Sequence, residues 1–280
     1  MAATVKNILE TLNLDAPFNL AESWDNVGLL VGSSTQQVTG IMIGLDPTIA
    51  LIQEAIDSGC NTVVTHHPVI FKPLAAIKTD TTAGILLEKA LTNRIAIIGC
   101  HTNFDSAEEG VSSYLAAKLG LDATTPLVPS PAANDNQQTG LGRIGTYAAA
   151  VNGEEFLKKL LAVLEVPGVQ VTARLPEKIT TVALCGGSGS DLAPLAHERG
   201  ADVYLSAEIK HATAIWANEN DFCIIDGTHY ATEKPAVKLL VDKLQHQSEK
   251  NNWNITVLQS TRERHPYTFM DTKYKTLTTR

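Results

Sequence analysis

The chain has 280 residues, 44% hydrophobic and 19% charged, with a net charge of −8 and a sequence pI near 5.5. That length allows two ordinary domains or one large one with a substantial core, and the composition excludes large-scale disorder. The acidic balance opposes a sequence-blind grip on nucleic acid, which is built from clustered Lys and Arg, so nucleic acid is not expected as a partner.

The first helix is expected over about Thr4 to Leu12, where Val5, Ile8, Leu9 and Leu12 share a face. A polar loop through Pro17 and Trp24-Asp25-Asn26 leads to the short apolar run Val27 to Val31. Strands then alternate with helices. Ile41 to Leu45 reads as a buried strand, and Pro47 opens a helix that closes near Gly59. Thr62 to Thr65 and Ile95 to Ile98 read as strands, with helices over 82–92 and from Glu108 to Leu119. Short apolar strands separated by helices indicate a mostly parallel sheet covered on both faces. Between 122 and 140 the composition changes. Pro126, Pro129, Pro131, Asn134, Asp135 and Asn136 mark a linker or exposed loop. A second α/β section begins near Gly142. It holds strands at Thr181–Leu184, Val203–Leu205 and Cys223–Ile225, a Gly/Ser loop at 186–190 followed by a helix to about Arg199, and helices over about Glu208–Asn218 and Thr232–His246. A last strand is expected over Ile255 to Leu258.

Cys60, Cys100, Cys185 and Cys223 form no CxxC pair and sit at the ends or edges of apolar runs, so they read as buried, reduced thiols. No stretch approaches about 18 uninterrupted apolar residues, and the N-terminus has no apolar signal core; no membrane segment is expected, and the expected location is cytoplasmic.

Three strand-to-helix junctions carry the chemistry. His66 and His67 follow the strand 62–65 and precede Pro68. Ligands collect at the carboxyl ends of strands in open parallel sheets, and a chain turning into proline can aim both imidazoles into one cleft. The alternative is one surface and one packed histidine. Asp105 follows the next strand, where a carboxylate can bridge two cations; otherwise it caps the helix beginning near 108. His101, four residues earlier, can orient a ligand or a water, or act catalytically. His229 and Glu233 follow the strand 223–225 with the four-residue spacing that lets both face one way on a helix. Imidazole and carboxylate without thiolate suit Zn, Mn, Fe, Ni or Co. Two such ions would lower the pKa of a water and so activate it. Glu208 and His211, three apart at a helix start, read as an acid–base pair or as a plain surface pair. The loop 186–190 reads as a tight turn or as a phosphate cradle. Trp24-Asp25 reads as a packed tryptophan with an Asx turn.

The segments Glu22-Ser23-Trp24-Asp25-Asn26-Val27-Gly28-Leu29, Thr65-His66-His67-Pro68, His101-Thr102-Asn103-Phe104-Asp105 and Gly227-Thr228-His229-Tyr230-Ala231-Thr232-Glu233 stand in the order found in one family. The chain resembles the dinuclear metal centre proteins, the GTP cyclohydrolase 1 type 2 homologs, from about Val5 to Leu258. Thr228 departs from the pattern, since many relatives read Gly-His directly. The resemblance implies two interlinked α/β domains with mostly parallel or mixed sheets: residues 1–125 with 225–280 as the first, carrying most metal ligands, and 126–224 as the second. It implies His66, His67, Asp105, His229 and Glu233 as ligands of two divalent ions per subunit, a toroidal homohexamer, and opening of the GTP imidazole ring. The expected function is a metal-dependent hydrolase acting on a nucleotide-like small molecule. A phosphodiesterase or phosphatase, or a non-catalytic metal-binding regulatory protein, are the alternatives.

Overall fold

The computed structural model describes residues 2–131 and 138–268; Asn134, Asp135 and Asn136 of the expected linker lie outside the described residues. The chain forms two compact units, Met1–Ala107 with Ala236–Arg264, and Glu108–Pro235 with His265–Arg280. In chain order the first unit holds α1 (Val5–Asp15), β1 (Gly28–Val31), β2 (Gly40–Gly44), α2 (Ile49–Asp57), β3 (Thr62–Thr65), α3 (Thr82–Thr92), β4 (Ala96–Gly99) and the short α4 (Thr102–Asp105). The second holds α5 (Val111–Leu119), β5 (Asp122–Thr125), β6 (Val128–Pro129), β7 (Gly140–Leu141), β8 (Arg143–Asn152), α6 (Gly153–Leu164), β9 (Gln170–Val171), β10 (Lys178–Ser188), α7 (Ala193–Glu198), β11 (Val203–Ala207), α8 (His211–Glu219), β12 (Cys223–Asp226) and α9 (His229–Glu233). The chain returns to the first unit with α10 (Pro235–Lys250) and β13 (Thr256–Gln259).

The first sheet runs β1-β4-β3-β2-β13, parallel except for β1. Its central strands are apolar throughout because both faces are covered. Met42, Val63 and Ile97 pack with Leu51, Ile52, Leu86 and Leu87 of α2 and α3. Their neighbours Ile41, Ile43, Val64 and Ile98 are equally buried on the opposite face. Each such side chain contributes about 1.5–3 kcal/mol of burial. Local chemistry sets the helix starts: Asn7 accepts from the Thr4 amide at 3.0 Å at the head of α1, and Thr48 Oγ1 accepts from the Leu51 amide at 3.1 Å at the head of α2.

The second sheet runs β5-β8-β10-β11-β12-β9 and is mixed: β10, β11 and β12 are parallel, while β8, β5 and β9 pair antiparallel. Side chains divide with a period of two. Val182, Leu184, Val203, Leu205, Cys223 and Ile225 meet Leu115, Phe156 and Leu160 of α5 and α6. Ala183, Cys185, Tyr204 and Ile224 meet Ala193, Ala196 and Ala217 of α7 and α8. All four cysteines are buried, unoxidised thiols.

Several expectations shift. The stretch 122–140 contributes strands rather than a bare linker: β5 pairs with β8 and β6 with β7. Residues 108–125 and 225–235 therefore group with the second unit, where β5 and β12 find their partners, not with the first as the expected boundaries had it. The helix expected from 232 is two: α9 starts at His229, and Pro235 opens α10 at the position where a missing N–H is tolerated. No helix among the described residues is long and apolar enough to cross a membrane.

Candidate metal centre

In the first unit, β3 ends at Thr65 and the chain continues its ladder for two residues. The His66 amide bonds the Gly44 carbonyl at 3.3 Å and the His67 amide that of Leu45 at 2.9 Å. The turn into Pro68 then brings both rings together, their centroids 5.2 Å apart. β4 delivers His101, whose ring lies 5.2 Å from His66 and 5.5 Å from His67. Each of the three offers a ring nitrogen within 4.8 Å of the others, the convergence that one cation requires. Asp105 closes α4 and is buried; its Oδ1 lies 3.6 Å from His66 Nε2. That gap is too long for a hydrogen bond but suits two donors that each approach an ion at about 2.0–2.2 Å. Asp105 is not a helix cap, because the N-cap of α5 is Gly110.

The rings are held from behind. His66 Nδ1 lies 2.9 Å from the Cys100 carbonyl oxygen, which can only accept, so Nδ1 carries the proton and Nε2 is the atom left to face a ligand. His67 Nδ1 bonds Asp46 Oδ1 at 2.7 Å, and His101 Nδ1 bonds Asp25 Oδ1 at 2.9 Å. This carboxylate-backed or carbonyl-backed imidazole is the usual support of a metal-binding histidine. Asp25 also accepts from the Thr102 amide at 3.1 Å and from its hydroxyl at 2.6 Å. Burial alone would raise the Asp25 carboxyl, but these bonds and the His101 imidazole hold it at about 2. Glu263, which accepts from the Leu45 and Asp46 amides, is pushed up, chiefly by burial.

In the second unit, α9 follows β12 and sets His229 and Glu233 one turn apart, with Nε2 2.8 Å from Glu233 Oε2. Glu233 is buried, so a favourable helix end does not account for it. His229 Nδ1 bonds Glu208 Oε1 at 2.9 Å. Glu208 thus backs His229 as Asp46 backs His67. The expected pairing of Glu208 with His211 on one helix is not found: Glu208 stands in a left-handed conformation (φ +52°) before α8, which begins at the exposed His211. Thr228 also has a positive φ, +66°, and its hydroxyl caps α9. A cavity of about 580 Å³ opens beside His229, lined in part by Glu208, Asp226, His265 and Tyr267. Its described lining offers carboxylates and ring edges without a lysine or arginine, which suits a neutral or cationic group better than a phosphate.

The glycines at 186–189 are not a phosphate cradle. The strand β10 extends through Ser188, and the amides are committed: Gly186 to Ser112 Oγ, Gly187 to Thr232 Oγ1, Gly189 to Ser206 Oγ. Gly187 has another role. A Cβ there would lie 2.0 Å from Glu233 Oε1, so only glycine leaves room for that carboxylate. Sequence reasoning missed Asp46 and gave Asp25 a purely local part. The rule that singled out His66, the strand end, points equally to Asp46 just past β2.

Fold and site together define an α/β protein with imidazole and carboxylate donors grouped at strand ends, where they could hold a metal ion. Residues 3–266 match the model of the Duf34/NIF3 (NGG1p interacting factor 3) family, and the chain belongs to that family. It is 31% identical over 269 residues to a GTP cyclohydrolase 1 type 2 homolog of Clostridium acetobutylicum, covering 96% of this chain and 100% of the relative. It is 31% identical to the Streptomyces coelicolor homolog of the same name, covering 94% and 93% of the two chains. The crystal structure of a Bacillus cereus protein related to NIF3 superposes with a TM-score of 0.89 at 25% identity, over 96% of this chain and 99% of that one.

Proposed function

We propose that the chain is a metal-dependent hydrolase that holds two divalent ions per subunit and acts on a nucleotide-like small molecule, in the manner that the name GTP cyclohydrolase 1 type 2 homolog suggests. The candidate ligands are His66, His67, Asp105, His229 and Glu233. The observation that carries this reading is the state of the imidazoles. His66, His67 and His229 each place Nδ1 on a carbonyl or carboxylate, which leaves Nε2 as the ligand atom. The donors are nitrogen and oxygen only; burial pushes the nearby Cys100 thiol up to about 12, away from thiolate chemistry. Zn, Mn, Fe, Ni or Co suit such a set. Ions bound there would supply the Lewis acidity that lowers a water's pKa toward neutrality. The protein's own part is to fix ring orientation through Asp25, Asp46 and Glu208 and to hold His101 beside the ligand pair as a proton carrier.

The experiment is metal analysis of the purified chain followed by incubation of the loaded protein with GTP. Two ions per chain and metal-dependent release of formate are expected. One ion or fewer at saturating metal would overturn the dinuclear assignment. Full metal loading with no turnover of GTP would instead favour a binding or regulatory role.

A further inference from the structure

The motif Trp24-Asp25-Asn26 does more than back His101. Trp24 leaves 58% of its surface in solvent and Phe71 leaves 43%. Large rings at that exposure call for a reason when they stand together. Here the centroids are 5.8 Å apart with the planes at 62°, and each ring is 6.3 Å from His101. Hydrogen bonds on both sides fix them. The Asp25 amide donates to the Glu22 carbonyl at 2.9 Å and closes a turn around Trp24. Both ends of that turn are tied to the segment carrying His101: the Glu22 amide donates to Thr102 Oγ1 at 2.9 Å, and Asp25 accepts from Thr102. Asn26 Nδ2 donates to the Ile70 carbonyl at 2.5 Å and so sets the residue next to Phe71. A ring anchored in this way loses little freedom when a ligand is laid on it.

We infer that Trp24 and Phe71 form a stacking receptor for a flat nitrogen heteroaromatic ring, holding that part of a ligand at the His66, His67 and His101 cluster. The inference takes the cluster as the reaction centre and so rests on the function proposed above, but its binding step needs no turnover. Offset or edge-on aromatic pairing favours a planar π-system, which neither ribose nor phosphate has.

The test titrates the full-length, metal-loaded protein with guanosine, following tryptophan fluorescence and binding heat, with ribose 5-phosphate as the control. Guanosine should quench saturably and ribose 5-phosphate should not. Trp24→Leu and Phe71→Leu should each weaken guanosine binding roughly five- to 150-fold, with metal content and Tm unchanged, and Trp24→Tyr should restore most of the affinity. Absence of saturable guanosine binding, or unaltered affinity in both Leu variants, overturns the receptor. So does a change of oligomeric mass in Trp24→Leu, which would give the rings to contact between copies of the chain. Failure of GTP turnover with Trp24-dependent guanosine binding removes the proposed activity and leaves the receptor. Turnover with an unaltered KM in Trp24→Leu does the reverse.

Discussion

A histidine ligates well when its far nitrogen is already occupied, and in this chain the occupants come from loops distant in sequence. Asp46 lies 21 positions from His67 and Asp25 lies 76 from His101, separations that no local motif encodes. That is why the histidines and Glu233 could be singled out from the sequence, as polar residues just past apolar strands, while their carboxylate supports could not. Removing a support should weaken metal without removing a ligand. Asp46→Ala is expected to lower affinity about 10–100-fold, read by competition with a chelating dye; equal affinities would show that Asp46 does not orient His67. Gly187→Ala makes a sharper demand, since its methyl meets Glu233 Oε1 and the backbone sits at φ +65°. The variant should bind metal more weakly than Asp46→Ala does, while a Gly168→Ala control, where a Cβ meets nothing within 4 Å, should behave as wild type. Asp25 adds a pH dependence. Its folded pKa of about 2 lies below the ordinary aspartate value near 3.9, so its contribution to stability is complete above that value and is lost as pH falls toward 2.

Among the elements, those with pure apolar runs were the easiest to read. β2, β3, β4, β11 and β12 all lie within a residue or two of their expected spans. Residues 143–178 were not resolved into elements by sequence reasoning. The outer half of β8 is Ala-rich and exposed, so it carries no apolar run, although Asn152 capping the Glu154 amide at 2.9 Å ahead of Glu154 and Glu155 was a readable helix start for α6. The tail after β13 was equally silent, because its anchors are single side chains far away in sequence, among them one on α2. Buried Glu54 accepts from Ser260 Oγ at 2.6 Å, from the Thr261 amide at 2.8 Å and from its hydroxyl at 2.7 Å. Burial opposes the charge, but these bonds outweigh it and lower the Glu54 pKa. Glu54→Gln should cost about 1–3 kcal/mol near neutral pH. The group's pKa is depressed on folding, so its stabilisation holds above the ordinary glutamate range and fades as pH falls through the folded value. Tm measured against pH should therefore converge for wild type and variant in acid. A gap that stayed constant down to acid would show that the carboxylate's charge is not what anchors the tail.

For the molecule as a whole, the chain passes between units after Ala107, after Pro235 and after Arg264. Asp105 and Glu233 each stand two residues before a crossing, and this gives the proposed ligand set a consequence for stability. Metal that binds only the folded chain stabilises it by RT ln(1 + [L]/Kd), about 2.7 kcal/mol at a hundredfold excess over Kd. Loading the purified protein with Zn or Mn should therefore raise Tm, and a chelator should return it. Glu233→Gln and His67→Ala alter one candidate ligand in each unit. If both residues are ligands, either variant alone should abolish most of the metal-dependent rise while leaving the Tm of the chelated protein close to that of wild type. A rise that survives Glu233→Gln but not His67→Ala would confine the metal to the first unit's histidines. Light scattering on the same samples tests the homohexamer that the family resemblance implies. A hexamer would have six times the 30.0 kDa chain mass, and a monomer or dimer at micromolar concentration would set aside the toroid that the resemblance implies. The two results are separable, because a ligand variant that loses its metal-dependent Tm rise yet keeps the hexameric mass places the ions in the site and not in the contacts that build the assembly.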